Sequence, residues 1–575
     1  MSNTHLTGYP SIDKPWLKYY SEEAITAPLP EYTLYEYIYR LNQDNLNKIA
    51  LNYYGTTTTY RELFHNVSIV AGALERCGVK AGDIVTVCMI NSPEAIELIF
   101  ALSKIGAIAQ SIYGVSTEQE ILKYIWDSKA DVVITLDIFQ KKFENIINDI
   151  TVSKIIVVST ENAMNPEDKG AKKILSNVPY VALPNDGRFL SWEKFLDGAL
   201  PTKTIMHDPY RAAVITYTGG TTGGSKGVIQ SSFGLISNTY QYCKMNIDIK
   251  KEHTWLLVFP LFIGFGLFSL LIPLQMGMTV IIRQPMAESI ADICREFRPN
   301  HIVYGPAFWE AFADENADLD LSYLIEPMTG GDILLPNVEK KINQYLNSHK
   351  SNYNIMNGYG MSELGPGISI QCKEVFEAGS VGIPFVKNIA SVFDVDTGKE
   401  LTYGIQGEIC ICAPSMMMGY LGNQEETNNI IKQHNDGLLW VHTGDLGYIS
   451  ENGFIHISGR LKRYMLSIAN GVQKKVFSLD IEKILVQHPA IEKCVVVPVE
   501  DETVNQAPVA FIVLRSEEIL CDELKNDIQQ FAVEHLDSVY CPVRYYFVEN
   551  IPLSKVGKVD YRALEKEAKN MMAPK

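Results

Sequence analysis

An alternation of helical and strand periods starts near residue 58 and runs through most of the chain, and it is the signature of an α/β architecture. Between residues 60 and 78, Leu63, Val67, Val70 and Leu74 recur at steps of four, three and four, one face of a helix. Residues 84–90 then read as a buried strand. Ser92-Pro93-Glu94 supplies an N-cap, a first-turn proline and a negative charge, Ile96, Ile99 and Leu102 form the apolar stripe, and Gly106 closes the helix. Further strands are predicted at 132–135, 155–159, 212–217, 256–259, 279–282 and 301–304. Many are apolar on both faces, as strands covered by helices on each side tend to be.

At 575 residues the chain exceeds what one hydrophobic core usually holds. A second module begins near Arg460, with strands predicted at 493–499, 509–514 and 545–548 and a helix at 522–536 whose Leu524, Ile528 and Phe531 face inward. The expected division is a large α/β domain over 1–459 and a small α/β domain over 460–575. Residues 162–186, rich in Asn, Pro, Lys and Asp, read as a surface excursion within the first. Sixty-seven acidic against 50 basic residues leave a net charge of -17, which disfavours nucleic acid and anionic membranes as partners. An anionic substrate must meet a local basic site.

The ten cysteines include no CxxC pair and no compact His/Cys cluster of zinc spacing, so reduced structural thiols are expected. No charged-then-apolar leader precedes Trp16. The most apolar stretch, 256–282, is interrupted by Pro260, glycines and Pro273 and falls short of the ~20 uninterrupted apolar residues of a membrane span. The expectation is a cytoplasmic protein without a transmembrane segment. Its oligomeric state cannot be read from the sequence.

The sharpest local signal is Thr216-Tyr217-Thr218-Gly219-Gly220-Thr221-Thr222-Gly223-Gly224-Ser225-Lys226-Gly227-Val228. Glycines let backbone N–H groups turn inward, threonines offer hydroxyls and Lys226 adds a positive charge, the ingredients of a polyphosphate cradle. The spacing is not Walker A: Ser225 separates Gly224 from the lysine, no Ser or Thr follows it, and 228–230 reads as a strand instead of a helix.

This loop resembles the phosphate loop of the acyl-adenylate-forming superfamily of acyl-CoA synthetases, nonribosomal-peptide adenylation domains and luciferases, and motifs similar to that family's recur in order from about Tyr60 to Arg562. The resemblance implies a large domain of several sheets with a small, mobile C-terminal domain. In it, Thr218, Gly219, Gly220, Thr221, Thr222 and Lys226 hold ATP phosphates. Asn357-Gly358-Tyr359-Gly360-Met361-Ser362-Glu363 is similar to the segment whose aromatic ring lies on adenine and whose Ser-Glu end reaches the phosphates and Mg²⁺, and a hard carboxylate such as Glu363 suits that ion. Thr329-Gly330-Gly331-Asp332 resembles the small-residue turn between adenine and acyl pockets. Asp445, in Thr443-Gly444-Asp445, corresponds to the ribose-binding aspartate, whose carboxylate can accept from both hydroxyls. Arg460 corresponds to the arginine that contacts ribose or phosphate, and Lys462 to the hinge. Lys558, in Pro552-Leu553-Ser554-Lys555-Val556-Gly557-Lys558, corresponds to the catalytic lysine of adenylation. A catalytic set of Lys558, Glu363 and Thr218 follows, with ATP, Mg²⁺ and coenzyme A as cofactors.

The chain also departs from the family pattern. Ile263, in Pro260-Leu261-Phe262-Ile263-Gly264-Phe265, stands where relatives carry histidine, or an aspartate for an α-ammonium, and an isoleucine cannot pair with an ammonium. With Phe262, Phe265 and Gly330 it implies a pocket for a fatty or other apolar carboxylic acid. Ser225 replaces a proline, Gly219 a serine, and the segment after Lys462 is about two residues longer than usual, in the region of the pantetheine passage. The expected reaction is formation of acyl-AMP, then of a thioester with coenzyme A. Two alternatives stay open: a stand-alone ligase loading an acyl carrier protein in trans, since only 17 residues follow Lys558, and a non-catalytic nucleotide-binding regulator on the same fold.

Overall fold

The computed structural model describes residues 6–178, 181–203, 206–218, 225–284, 289–315, 317–461, 464–469, 472–501, 504–553 and 558–572. It is an α/β protein with three sheets in a large lobe and a fourth in a small C-terminal lobe. The first sheet has eight strands in the order Gly419–Tyr420, Gly227–Ser231, Ala212–Tyr217, Ile108–Ser111, Ile84–Cys88, Val132–Leu136, Lys154–Val158 and Phe189–Ser191. From Ala212–Tyr217 onward the pairing is parallel, and Gly227–Ser231 folds back antiparallel. Runs such as Val132–Leu136 are buried at every residue because helices cover both faces.

The second sheet has nine strands. Its parallel core runs Met356–Gly360, Met328–Gly330, His301–Tyr304, Thr254–Leu257, Thr279–Ile282 and Ile49–Tyr53, with antiparallel strands at both edges. The third sheet, Ile389–Phe393, Gly407–Cys412, Leu439–Ile449 and Ile431–Gln433, carries Ile455–Arg460 against Leu439–Ile449. Arg460 thus ends the last large-lobe strand, and Tyr464–Ala469 opens the small-lobe sheet.

Local signals in the sequence appear where they were read. Ser92 accepts the Ala95 N–H, Pro93 opens the helix Pro93–Ile105, and Gly106 takes a left-handed φ of 75° at its C-cap. The 162–186 excursion carries the helix Lys169–Leu175, after which Phe189–Ser191 rejoins the sheet. The stretch 256–282 folds as strand, helix Gly264–Gln275 and strand. The helix runs two residues past Pro273, because a proline in the last turn disturbs only the few bonds behind it. In the helix Asp522–His535 Ile528 and Ala532 are buried, whereas Phe531 lies half-buried against His488 at 5.1 Å. All ten cysteines are free, and among the described residues no helix is long and apolar enough to cross a membrane.

The lobes touch through a few polar contacts. Asn337 Nδ2 donates to the Glu492 carbonyl at 2.9 Å, Lys493 pairs with Glu310 at 3.0 Å, and Lys483 donates to the Ile457 carbonyl at 3.3 Å. Leu335 packs against the small-lobe core. Polar inter-domain contacts are of the kind that permit relative domain motion.

Candidate active site

Parallel α/β sheets place ligands beyond the carboxyl ends of their strands, and here two sheets aim those ends at one crevice. From the eight-stranded sheet, Ala212–Tyr217 leads into Thr218. The base of its loop is pinched shut: Thr218 N–H donates to the Lys226 carbonyl at 3.1 Å, Lys226 N–H to Thr218 Oγ1 at 3.2 Å, and Ser225 Oγ to the Thr218 carbonyl at 2.7 Å. Ser225, which stands where a proline was anticipated, therefore closes the loop by hydrogen bonding. Gly219, Gly220, Thr221, Thr222 and Lys462, the expected hinge, lie outside the described residues. The Lys226 ammonium pairs with Glu426 and sits 4.9 Å from the centroid of the Tyr420 ring.

The nine-stranded sheet delivers the second set. Gly330 and Gly358 are register partners on adjacent strands, and Gly331 has φ 85°, a left-handed conformation that turns the chain toward Asp332. Gly360 is sterically obligatory, since a Cβ there would lie 1.8 Å from the Pro366 carbonyl oxygen. Asn357 is fixed by its N–H to Gln371 Oε1 at 3.1 Å. Beyond Met361, Ser362 and Glu363 occupy a short 3₁₀ turn. Gln230 Nε2 donates to the Ser362 carbonyl at 2.7 Å and Met417 N–H to the Glu363 carbonyl at 2.8 Å, so the first sheet holds the turn of the second. Glu363 is 7% exposed and its Oε1 accepts the Tyr420 hydroxyl at 2.6 Å. The Thr216 hydroxyl, buried beside Gly264 and Ser362, has no hydrogen-bond partner among the described residues.

The third sheet contributes a charged clamp. Asp445 and Arg460 face each other across paired strands, with Arg460 Nε to Asp445 Oδ1 at 2.8 Å, and Tyr359 donates its hydroxyl to Asp445 Oδ2 at 2.6 Å. Burial pushes the Asp445 carboxyl above its ordinary value, against the opposing pull of Arg460, the Tyr359 hydroxyl and Lys558. Asp445 holds Arg460 above its own. From the small lobe comes Lys558, beside the Leu553–Val559 bridge and the Asp560 N–H to Pro552 carbonyl bond. Desolvation lowers its ammonium pKa and Arg460 adds to that, while Asp332, Asp445 and Glu363 oppose it. Lys558 and Arg460 remain open to water although protein surrounds them, which is the situation of side chains lining an open cleft.

The apolar flank begins after Thr254–Leu257. Phe262 stacks on Tyr113 at 4.2 Å, Phe265 meets Phe259 edge-on at 4.5 Å, and Phe259 packs on Tyr304 at 4.3 Å. Ile263 caps the helix Gly264–Gln275 and is half-buried. A Cβ on Gly330 would approach the Gly358 carbonyl to 3.0 Å and the Phe265 ring to 3.8 Å, so Phe265 lies beside the glycines.

Sequence reasoning missed Tyr420, Glu426, Gln230, Tyr113, Phe259 and Tyr304. Phe259, Tyr304 and Gln230 end predicted strands, a position that could have flagged them; Tyr113 follows the strand Ile108–Ser111, which the sequence reading did not include, and Tyr420 and Glu426 carry no local signal. It also saw no His/Cys cluster, yet strand pairing gathers Glu408, Cys410 and His442. There Glu408 accepts from Gly444 N–H at 3.0 Å and contacts His442 Nδ1 at 2.7 Å, which steadies the irregular strand pairing just before Asp445.

Together the sheets and the small lobe define a two-lobed α/β protein with a glycine–threonine loop, a buried carboxylate and a small-lobe lysine around one cleft. The chain belongs to the AMP-binding enzyme family: the family's main domain matches residues 39–421 and its C-terminal domain residues 480–558. It is 27% identical over 573 residues to a long-chain-fatty-acid–CoA ligase of Bacillus subtilis (strain 168), covering 97% of this chain and 99% of that protein. It is 29% identical over 518 residues to 4-coumarate–CoA ligase CCL1 of Humulus lupulus, covering 88% of each. Among solved structures, the anthranilate CoA ligase AuaEII in complex with anthranoyl-AMP superposes with a TM-score of 0.79 at 22% identity, over 96% of this chain and 100% of that one.

Proposed function

We propose that this AMP-forming acid–thiol ligase activates an apolar carboxylic acid, fatty or aromatic, and passes the acyl group to coenzyme A. The observation that carries the reading is the convergence of Lys558, from the small lobe, on Asp332, Asp445 and Glu363 of the large lobe. A protein that only bound nucleotide would have no use for a cation brought there by a separate lobe. The relatives named for long-chain fatty acids and for 4-coumarate act on apolar acids of different shape, and the aromatic flank of this cleft suits that class.

In the proposed sequence the acid carboxylate attacks the α-phosphorus of ATP in line, and pyrophosphate leaves. Thr218, Lys226 and the glycine-threonine loop hold the phosphates, with Ser362 beside them. Tyr359 and the 330–332 turn flank the adenine, Asp445 accepts from the ribose hydroxyls, and Arg460 steadies Asp445. Lys558 offsets negative charge that grows on the phosphoryl oxygens, a role worth ~10²- to 10³-fold for one well-placed donor. Glu363, buried but at the cleft and rich in hard oxygen, fits magnesium, which when bound neutralises phosphate charge. The small lobe, the chain beyond Arg460, then turns about Lys462, withdraws Lys558 and lets the thiol attack the acyl carbonyl, releasing AMP.

A panel of fatty and aryl acids with ATP, assayed for pyrophosphate and for thioester with and without coenzyme A, tests the reading. Acid-dependent pyrophosphate release and a CoA-dependent thioester are expected. Pyrophosphate without any thioester would replace coenzyme A by another acceptor, and no pyrophosphate with any acid would remove adenylation itself.

A further inference from the structure

One side chain joins the loop lysine to the buried carboxylate. Tyr420 lies on the two-residue strand Gly419–Tyr420, paired with Gly227–Ser231 so that it stands opposite Val228, two residues beyond Lys226. Its backbone is fixed on both sides: the N–H donates to Thr427 Oγ1 at 2.9 Å, and the carbonyl accepts from Asn423 at 3.2 Å. The ring is 7% exposed and packs with Val228 and Met417. One face of that ring meets the Lys226 ammonium, and the hydroxyl reaches Glu363 Oε1 at 2.6 Å. Among the described residues Glu363 Oε2 takes no hydrogen bond. Glu363 and Tyr420 belong to different sheets, so the contact is a consequence of assembly and not of sequence proximity.

We propose that Tyr420 is a positioning residue: its hydroxyl commits Oε1 of Glu363 and so presents Oε2 to the divalent cation of the nucleotide, while its ring holds Lys226 beside the same phosphates. This rests on the reading of Glu363 as the magnesium ligand. The physical reasoning is that of an outer-shell partner. A carboxylate free to rotate offers either oxygen in many directions, whereas one anchored through a buried phenol offers one oxygen in one direction before the ligand arrives. Met417 N–H and Gln230 Nε2 fix the backbone carbonyls of Glu363 and Ser362, and Tyr420 adds the anchor on the side chain itself. A tyrosine serving only as packing would need its ring but not its hydroxyl.

Tyr420→Phe keeps the ring, its packing and its contact with Lys226, and removes only the hydroxyl. Binding of α,β-methylene ATP, which cannot be adenylated, is measured calorimetrically on the full chain in MgCl₂ and in EDTA, with Glu363→Gln as the reference. Tyr420→Phe should weaken binding of the magnesium-loaded analogue about 10-fold. Its affinity in EDTA should stay within about twofold and its melting temperature within about 3 °C of the parent. If Glu363→Gln abolishes the magnesium enhancement while Tyr420→Phe keeps all of it, the positioning role is overturned and the function of Glu363 survives. If neither variant changes the enhancement, the assignment of Glu363 falls and the role of Tyr420 falls with it. An equal loss in MgCl₂ and EDTA, with a lowered melting temperature, would make Tyr420 a packing residue and overturn the proposal.

Discussion

Replacing Asp445 by asparagine should separate binding from stability. The carboxylate is 3% exposed, and burial outweighs its partners in setting its pKa, so the folded state disfavours the ionised form relative to water. A group whose folded pKa is raised contributes its stability below the unfolded value, near 3.9, and loses it as pH rises through the folded value. Ionising Asp445 in the folded state therefore costs stability. Asparagine keeps the shape and an oxygen for the Tyr359 hydroxyl, and Arg460, whose side chain is 57% exposed, can recover water. The change in stability should lie between zero and about 1 kcal/mol in the stabilising direction. Binding should move the other way. A hydrogen bond to a charged acceptor is worth about 1 to 1.5 kcal/mol more than one to a neutral acceptor, and two ribose hydroxyls make that about 2 to 3 kcal/mol, or roughly 30- to 150-fold in ATP affinity. The assays are ATP dependence of acid-driven ATP–pyrophosphate exchange and thermal unfolding at pH 7.5. A melting temperature lowered by more than about 5 °C, or an unchanged KM for ATP, would refute the reasoning.

Three further outcomes are expected. Lys558→Ala should cut pyrophosphate exchange by ~10²- to 10³-fold while ATP binding, read calorimetrically, stays near that of the parent; full exchange would take Lys558 out of adenylation. Glu426→Gln releases Lys226 from a partly exposed ion pair of the kind worth about 0.2 to 1 kcal/mol, so the KM for ATP should fall by roughly 1.4- to 5-fold, and a rise would show that Glu426 supports binding instead of competing with it. His301 is buried against Trp255, and desolvation lowers its pKa to about 3, so its contribution is present above about 6.5 and declines as pH falls toward 3. At pH 5 that loss is about 2 kcal/mol. His301→Phe should flatten the difference in urea midpoint between pH 7.5 and pH 5, and an unaltered difference would assign the acid sensitivity to other groups.

Local chemistry alone determined much of this protein. The Ser92-Pro93 cap, the 60–78 stripe and the doubly apolar strands specify β-α units because capping, periodicity and burial act over a few residues. The loop from Thr218 to Lys226 carries residue types that suit a phosphate cradle, and these are legible in the residues themselves. Tertiary structure decided which atoms meet. Tyr359 could be read as a ring, but its hydroxyl on Asp445 depends on two sheets facing each other. The partners of Glu363 and Lys226 come from the 417–426 segment, roughly 55 and 200 residues away along the chain. Asp445 is legible only as a resemblance to a ribose-binding aspartate; its burial beside Arg460, and hence its raised pKa, exists only once the strands pair. Desolvation and charge coupling act through space over a few ångströms, and residue order alone does not state which groups the folded chain brings within that range.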